Sequence, residues 1–341
     1  MRTPAWILAA AGLAALLGAV LAFTRWPQAQ ADNSFTAQTP TSPVTWIEVG
    51  WAGGDAGPSN GDGRLGRLDG DESAPEGPMS FTVSSFGELF VLDQVNERIA
   101  VYGPDGAFLQ AIPLPAPTFQ DLEVTDSGVL LVLDRLARRS LLLLGADGKM
   151  LGEEAIEGEG VPEGGAVTGM FVEPDGVFLE VGHQTRVRLL DRALAKGDRA
   201  KRSGRPTGEP GLSLGAALDG AGGAALWLED EEDGTILAER ELVFPREVAR
   251  IAWVEPDGLG HLVAALHLWT WSAEDPRKVA HEESVILVLD PWLGRLAEIR
   301  SPYVATHWEQ FREFKVSEDG AIHQLALSED GVRLLRWRAT W

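Results

Sequence analysis

Three polar residues occupy equivalent positions in a repeated sequence phrase, where they could bind a cation or a polar ligand. Each phrase is a short apolar strand that ends in a glycine turn, and the seventh residue before the glycine is Ser80, Asp121 or Glu313 in three copies. Two further copies have Gly169 and Ile251 there. Carboxylate oxygens that meet on one axis could hold calcium. We therefore treat Ser80, Asp121 and Glu313 as candidates for ligand binding, with capping of strand ends as the structural alternative.

The histidines do not have the spacing of a metal site. His261 and His267 share a strand face in "HLVAALH", but six residues of strand separate them by about 20 Å. The chain has no Cys, which excludes disulfides, thiolate zinc sites and a cysteine nucleophile. We predict no metal site built on histidine and no catalytic residue. The six histidines are His183, His261, His267, His281, His307 and His323.

Two further stretches partly match functional motifs but lack the spacing or the local structure that each motif requires. The acidic run at residues 229–233 lacks the alternating spacing of a calcium loop and is expected at a hairpin tip. The stretch "GLSLG" at residues 211–215 matches a nucleophile elbow in letters, but a strand-to-helix turn is not indicated there.

Aromatic and basic residues meet in the longest insertion of the repeat, "HLWTWSAEDPRKVAHEES". Trp269 and Trp271 share one strand face, and Arg277 and Lys278 follow them in the turn. Because basic residues are expected to be sparse elsewhere, this hairpin is our candidate for contact with a protein or glycan partner. Packing of both tryptophans between sheets is the alternative.

The strands that carry these residues recur along the chain. In five copies a valine stands four residues before a glycine, from Val83 and Gly87 to Val316 and Gly320, and a second strand follows each turn. A weaker sixth copy fits Leu218 and Gly222. Successive turn glycines are 36 to 62 residues apart. A period of this length, without amphipathic helices, predicts an all-β, six-bladed β-propeller.

The clearest phrase is "VLDQVNERIAVYGPDGAFLQAI" at residues 91–112. Asp93 and Asn96 occupy its first bend, and Asp134 repeats that position in the next unit, where we expect short side chains to hydrogen-bond turn amides. Over residues 78–152 the chain resembles the NHL-repeat propellers, whose blades read strand, Gly, strand, Asp-x-x-Asn-x-Arg, strand, Asp-Gly, strand. The resemblance implies a propeller. Propeller hydrolases of the lactonase type are related to this group and hold calcium in the channel, so the resemblance also implies hydrolysis with a channel cation as an alternative function.

The predicted blades cover residues 78–117, 118–160, 166–210, 211–247, 248–302 and 311–341. The last blade has only three strands of its own. Residues 44–51, "VTWIEVGW", are predicted to close the ring by supplying the fourth, so the propeller spans residues 44–341. The Gly- and Asp-rich residues 52–77 are predicted to be loop.

The N-terminus predicts export. Arg2, the apolar residues 5–23 and the small residues before position 32 have the layout of a signal peptide of residues 1–31, followed by a flexible spacer of residues 32–43. An uncleaved membrane anchor is the alternative. Cleavage would change the net charge from −22 to −24 by removing Arg2 and Arg25. Such a charge disfavours nucleic acid as a partner.

These observations predict a periplasmic or extracellular propeller that acts as a non-catalytic binding scaffold for a protein or glycan, without a cofactor. Two alternatives stay open. One is a propeller hydrolase or lyase with a channel cation such as calcium. The other is a structural component of the cell envelope that an uncleaved N-terminus holds at the membrane.

Overall fold

The computed structural model describes residues 43–57, 62–70, 73–275, 277–304 and 308–338. All of them belong to the unit Ala37–Trp341 of the chain. The predicted signal segment, the spacer up to residue 42 and His307 lie outside the described residues. Within the described ranges, no helix is long and apolar enough to cross a membrane.

Three short strands precede the first blade: β1 (Val44–Val49), β2 (Trp51–Gly54) and β3 (Leu65–Arg67). Strands β2 and β3 pair in parallel. The prediction that residues 52–77 are only loop was therefore wrong. The apolar side chains of Ala52 and Leu65 are 1% exposed, and burial of such residues favours regular pairing within an otherwise polar stretch.

The described residues form six four-stranded antiparallel sheets, which are the blades of a propeller. Blade one contains β4 (Ser80–Val83), β5 (Leu89–Asp93), β6 (Arg98–Tyr102) and β7 (Phe108–Pro113), with a 3-10 turn at Gln94–Asn96. Blade two contains β8 (Asp121–Val124), β9 (Leu130–Asp134), β10 (Ser140–Leu144) and β11 (Met150–Ala155). Blade three contains a 3-10 turn at Gly164–Ala166 and then β12 (Val167–Glu173), β13 (Gly176–Val181), β14 (Thr185–Asp191) and β15 (Lys201–Ser203).

The second half of the ring repeats the arrangement. Blade four contains β16 (Arg205–Pro206), β17 (Leu212–Leu218), β18 (Ala224–Asp230) and β19 (Ile236–Leu242). Blade five contains β20 (Glu247–Pro256), β21 (Leu262–Trp271), β22 (Val279–Leu289) and β23 (Arg295–Ser301). Blade six contains β24 (Phe314–Val316), β25 (Ile322–Ser328) and β26 (Gly331–Trp337), and β1 is its fourth strand.

The ring closes because β1, from the N-terminal side, pairs antiparallel with β26 from the C-terminal side, with Val49 opposite Val332. The first strands of neighbouring blades contact one another around the axis: β4 with β8, β8 with β12, β20 with β24, and β24 with β4. Blade four joins the ring through contacts of β17 with β15 and β20. The first strands therefore surround a central channel.

Blade four departs from the predicted boundaries. Its first strand begins at Arg205, only two residues after β15 ends, whereas the sequence placed the boundary at residues 210 and 211. The weak sixth copy, Leu218 with Gly222, was also assigned to the wrong turn. It connects the second and third strands of the blade, whereas the other five copies connect the first and second strands.

The hydrophobic core lies between the blades. In β5, β6, β9 and β10 every residue is buried, because each of these strands has a neighbouring blade on both faces. Such strands have continuous apolar runs, as in "SLLLL", rather than alternation. The packing between blades fixes the positions at which their polar first strands approach the axis.

Candidate functional site

Ser80 and Asp121, two of the candidates for ligand binding at the channel, are in direct contact. Each begins the first strand of its blade, and both side chains are fully buried. The Ser80 hydroxyl donates to Asp121 Oδ1 over 2.6 Å, and the backbone amide of Leu122 donates to the same oxygen over 2.9 Å. Buried carboxylates need such partners, because an uncompensated charge away from water is costly. Two adjacent blades are thus joined at the channel.

Arg312 crosses the channel from blade six to blade two. Its Nε and Nη2 donate to the two oxygens of Asp121 over 2.9 and 2.7 Å, and its Nη1 donates to Glu123. The guanidinium is fully buried, and it also donates to the carbonyl of Met170 and lies 4.6 Å from the ring centre of Trp253. Sequence reasoning missed Arg312 because it took its channel candidates from the seventh residue before each turn glycine, and Arg312 is the eighth.

Lys315 extends this network to blade five. Its Nζ donates to Glu123 over 2.9 Å and to Glu255 over 2.6 Å. Glu255 also accepts from the indole of Trp253 and from the amide of Val316, each over 2.9 Å. We call Asp121, Glu123, Glu255, Arg312 and Lys315 the channel network. Three carboxylates in it face two cations.

The two carboxylates that bond to Arg312 have pKa values shifted in opposite directions. Burial raises the pKa of Asp121 above its usual range, although the neighbouring Arg312 acts in the opposite direction. Burial also disfavours the charge of Glu123, but Arg312 and Lys315 outweigh it and lower the pKa of Glu123. Of these two carboxylates, Asp121 is therefore the one that takes up a proton more readily if the positive charge in the channel is reduced.

The geometry does not fit a calcium ion at Asp121. Calcium takes six to eight oxygen ligands, whereas both oxygens of Asp121 accept from the Arg312 guanidinium. Within the described part of the chain, no group of three or more acidic, histidine or cysteine side chains is placed to hold a metal ion. A metal at this position would have to displace a buried guanidinium.

Glu313 does not share a site with Asp121, contrary to the prediction of a common channel site. It immediately precedes β24, but its carboxylate lies between blades five and six. Its Oε2 lies 2.8 Å from His267 Nε2 and accepts from Arg250 over 3.2 Å, and its Oε1 accepts from Gln324 over 2.7 Å. Burial opposes the charge of Glu313, but His267 and Arg250 outweigh it, so the pKa of Glu313 lies below its ordinary value.

His267 belongs to a polar row across blade five. Arg250, His267, Ser284 and Ser301 lie opposite one another on the four strands. The row includes a serine, a histidine and, through Glu313, an acid, which are the residue types of a nucleophilic hydrolase. However, the Ser284 side chain is 0% exposed and His267 is 1% exposed, so a substrate cannot reach them. The row does not support catalysis. His261, the other histidine of the phrase, pairs instead with Asp257 over 2.7 Å.

The blade-five hairpin, which β21 and β22 form, carries the predicted contact residues. Trp269 and Trp271 stand side by side with ring centres 4.7 Å apart. Trp269 is partly buried, but Trp271 is 43% exposed, so burial of both tryptophans between blades is wrong for Trp271. The side chains of Arg277 and Lys278 are 88% and 75% exposed. Both lie near Asp275, which partly neutralises them.

A cleft of about 450 Å³ lies beside this hairpin and was not predicted. We call it the blade-four cleft; Gly220–Gly222 and Phe244–Glu247 line it. Glu247 connects the cleft to the hairpin, because its carboxylate accepts a hydrogen bond from the Trp271 indole over 3.1 Å. The cleft is formed by a turn of blade four and the link to blade five. The pairing of Ala224 with Leu242 within blade four brings these two segments together.

The expectation that basic residues are sparse outside the hairpin was wrong. The densest basic stretch is residues 192–205. Most of its side chains have structural partners: Lys196 pairs with Glu154 over 3.0 Å, Arg202 with Asp175 over 2.5 Å, and Arg205 with Glu180 over 2.5 Å; Arg199 donates to the carbonyl of Ile156 over 2.6 Å. This stretch therefore connects blades two, three and four.

The predicted turn residues have two different roles. Asp134 caps its own turn by accepting from the amides of Leu136 and Ala137 over 3.2 and 2.8 Å, as expected. Asp93 instead accepts from the amide of Gly66, in β3, over 2.8 Å. Asn96 donates to the carbonyl of Ala52, in β2, over 2.9 Å and to Asp93 over 2.8 Å. In blade one these side chains anchor the N-terminal strands.

The chain is a six-bladed β-propeller. No protein-family model and no curated protein matches it. Among solved structures, a member of the DUF4221 family from Bacteroides vulgatus is 10% identical with a TM-score of 0.50, over 88% of this chain and 99% of that one. This likeness shows the fold alone.

Two further structures are more distant. Hydrazine synthase of Kuenenia stuttgartiensis is 11% identical with a TM-score of 0.48, over 73% of this chain and 76% of that one. A streptogramin B lyase is 13% identical with a TM-score of 0.43, over 80% of this chain and 97% of that one. Neither likeness carries an argument about activity.

Proposed function

We infer that this protein is a non-catalytic binding scaffold that recognises a protein or glycan through the blade-five hairpin. The observation that carries this proposal is the contrast between the two polar regions. The charged side chains of the channel network form ion pairs with one another. Trp271, Arg277 and Lys278, in contrast, are exposed at one end of blade five beside the blade-four cleft. Exposed aromatic and Arg side chains are those that most often dominate binding energy.

We further propose that the scaffold is exported and belongs to the NHL-repeat type. The N-terminal sequence supports export, with the whole propeller outside the cytoplasm whether the segment is cleaved or anchors the chain. The Asp-x-x-Asn-x-Arg phrase of blade one supports the NHL type. A net charge of −22 argues against nucleic acid as the partner. An anchored structural component of the envelope is compatible with the same features.

The enzymatic alternative has less support. A lactonase-type hydrolase would use a channel cation, but Arg312 and Lys315 engage the carboxylates that would hold one. The serine and histidine of blade five are buried. We therefore propose that the protein works without a metal or an organic cofactor.

Capture from a cell-envelope extract tests the scaffold. The full chain is immobilised, and bound proteins and glycans are compared for the natural sequence and the double variant Arg277→Glu, Lys278→Glu. The matched control is Lys149→Glu with Arg192→Glu, which makes the same change of charge at two other exposed positions. We expect the hairpin variant to lose most of the material that the natural sequence captures, and we expect the control variant to retain it.

Equal capture by both double variants would contradict recognition through the hairpin. Loss of capture on substitution of Asp121 or Glu313, in a variant that keeps its melting temperature, would place the contact at the channel instead. Circular dichroism of each variant verifies that the fold is unchanged.

A further inference from the structure

The blade-four cleft has the size of a small-ligand site, and an exposed tryptophan contacts one of the residues that line it. Its volume of about 450 Å³ lies within the range of ligand pockets. Trp271, which is 43% exposed, is connected to the cleft through the lining residue Glu247, whose carboxylate accepts from its indole nitrogen, and Trp269 packs beside it. These two contacts hold the indole in place, so its exposed surface is presented without a large loss of side-chain entropy.

The polar side chains of the cleft are balanced in charge. Arg246 pairs with Glu283, which is also held by Arg300 over 2.5 Å. Glu247 is exposed and contacts Trp271. One guanidinium and one carboxylate therefore line the cleft, and neither sign of charge dominates it. Planar groups that can each donate or accept two hydrogen bonds suit pairs of neighbouring hydroxyls.

The wall of the cleft opposite these groups has almost no side chains. Gly220 and Gly222 have φ values of +73° and +93°, which side chains rarely allow, and the turn holds this shape because Asp219 accepts from the amides of Ala221 and Gly223. A side-chain Cβ atom at Gly220 would meet no atom within 4 Å, so the turn leaves open space there. At Gly222 the turn contacts the link, because the backbone amide of Val248 donates to the Gly222 carbonyl over 2.8 Å.

We propose that the blade-four cleft, together with Trp271, binds a neutral oligosaccharide. A sugar ring has an apolar C–H face that stacks on an indole and hydroxyls that bond to carboxylate and guanidinium groups. An anionic ligand is disfavoured by the net charge of −22. The inference rests on the proposed scaffold function and names the ligand of the surface beside its hairpin.

Isothermal titration calorimetry with the full chain tests this assignment. The probes are maltohexaose, cellohexaose and N-acetylchitohexaose, with hexagalacturonate as an anionic sugar and a capped basic hexapeptide as a protein-like ligand. The variants are Trp271→Ala and Glu247→Gln. The control is Trp292→Ala, because Trp292 is 66% exposed and lies beyond the other end of β22.

We expect at least one neutral oligosaccharide to bind, with affinity lowered about tenfold or more by Trp271→Ala and by Glu247→Gln and unchanged by Trp292→Ala. No binding of any neutral probe at millimolar concentration overturns the inference, as does binding that Trp271→Ala leaves intact. Binding of the hexapeptide or of hexagalacturonate alone also overturns it.

Failure of this inference is distinguishable from failure of the scaffold. If the hairpin variant loses capture from the extract while no sugar binds, the scaffold stands and the ligand class is wrong. If sugars bind at Trp271 and the captured material is the same for the hairpin variant and its control, the glycan site stands and recognition through Arg277 and Lys278 fails.

Discussion

Replacement of Arg312 by Met should destabilise the propeller more at pH 7 than at pH 5. Met keeps much of the volume but removes the charge, so Asp121 and Glu123 lose the guanidinium that now bonds to both. The channel network then contains three carboxylates and only Lys315. Breaking a buried ion pair by removing one partner costs about 3–5 kcal/mol.

Protonation of Asp121 sets an upper limit on the part of this cost that comes from the uncompensated charge of Asp121. The ordinary pKa of an aspartate is 3.8, and each pH unit above it adds about 1.4 kcal/mol to the work of adding a proton. The limit is thus about 4 kcal/mol at pH 7 and about 2 kcal/mol at pH 5. The sign follows because the folded pKa of Asp121 in the variant lies further above its unfolded value, so stability is lost as pH rises.

Urea unfolding followed by tryptophan fluorescence at the two pH values measures the difference. At pH 7 the melting temperature should also fall by about 6 °C, given about 2 cal/mol/K of unfolding entropy per residue. Arg300→Met is the control: Arg300 pairs with Glu283 and Glu298 but is 48% exposed, and such pairs contribute about 1 kcal/mol or less. Adding Asp121→Asn to Arg312→Met should recover part of the loss.

An equal cost for Arg312→Met and Arg300→Met at pH 7 would refute the reasoning. A cost for Arg312→Met that does not change between pH 7 and pH 5 would show that lost packing, and not uncompensated charge, destabilises the variant.

Three other outcomes are expected. Glu180→Gln should reduce the loss of stability in acid, which urea midpoints at several pH values measure. Burial opposes the charge of Glu180, but Arg205 and His183 outweigh it and hold its pKa at about 2, so its contribution to stability is complete above pH 4.5 and disappears as pH falls toward 2. An unchanged loss of stability in acid would contradict this. Deletion of residues 32–52 removes β1 and exposes the edge of β26, so the melting temperature should fall and light scattering should rise; an unaltered melting curve would exclude ring closure by β1. Chelation by EDTA should leave the melting temperature unchanged, because Asp121 is bound by Arg312. An ion present at a hundred times its Kd would contribute about 2.7 kcal/mol to stability. A fall in melting temperature that calcium reverses would therefore support a metal site in the channel.

The repeated phrase was sufficient to predict the propeller, because each blade is a local structure. A valine four residues before a turn glycine, from Val83 and Gly87 to Val316 and Gly320, marks the hairpin between the first two strands in five of six blades. Strand alternation and turn chemistry depend on neighbours a few residues apart, so a pattern in the sequence reports them directly. Blade four escaped this reasoning because its first strand has two residues and its glycine turn lies one strand later.

Part of the site followed from the same pattern. The equivalent positions of Ser80 and Asp121 indicated that both could face the channel, and their side chains are in contact with one another. Trp269 and Trp271 were expected on one strand face, and their rings are adjacent. Both predictions depended only on strand periodicity and on the repetition of one position around the ring.

The partners of these groups were decided by the tertiary structure alone. Arg312 reaches Asp121 across 191 positions of the chain, and Glu313, one residue later, faces His267 and not the channel. The repeat determines which positions approach the axis, but ring closure and the twist of each blade determine which side chains meet there. Charges brought together in this way must compensate one another because they are removed from water, and that requirement leaves no periodic signal in the sequence.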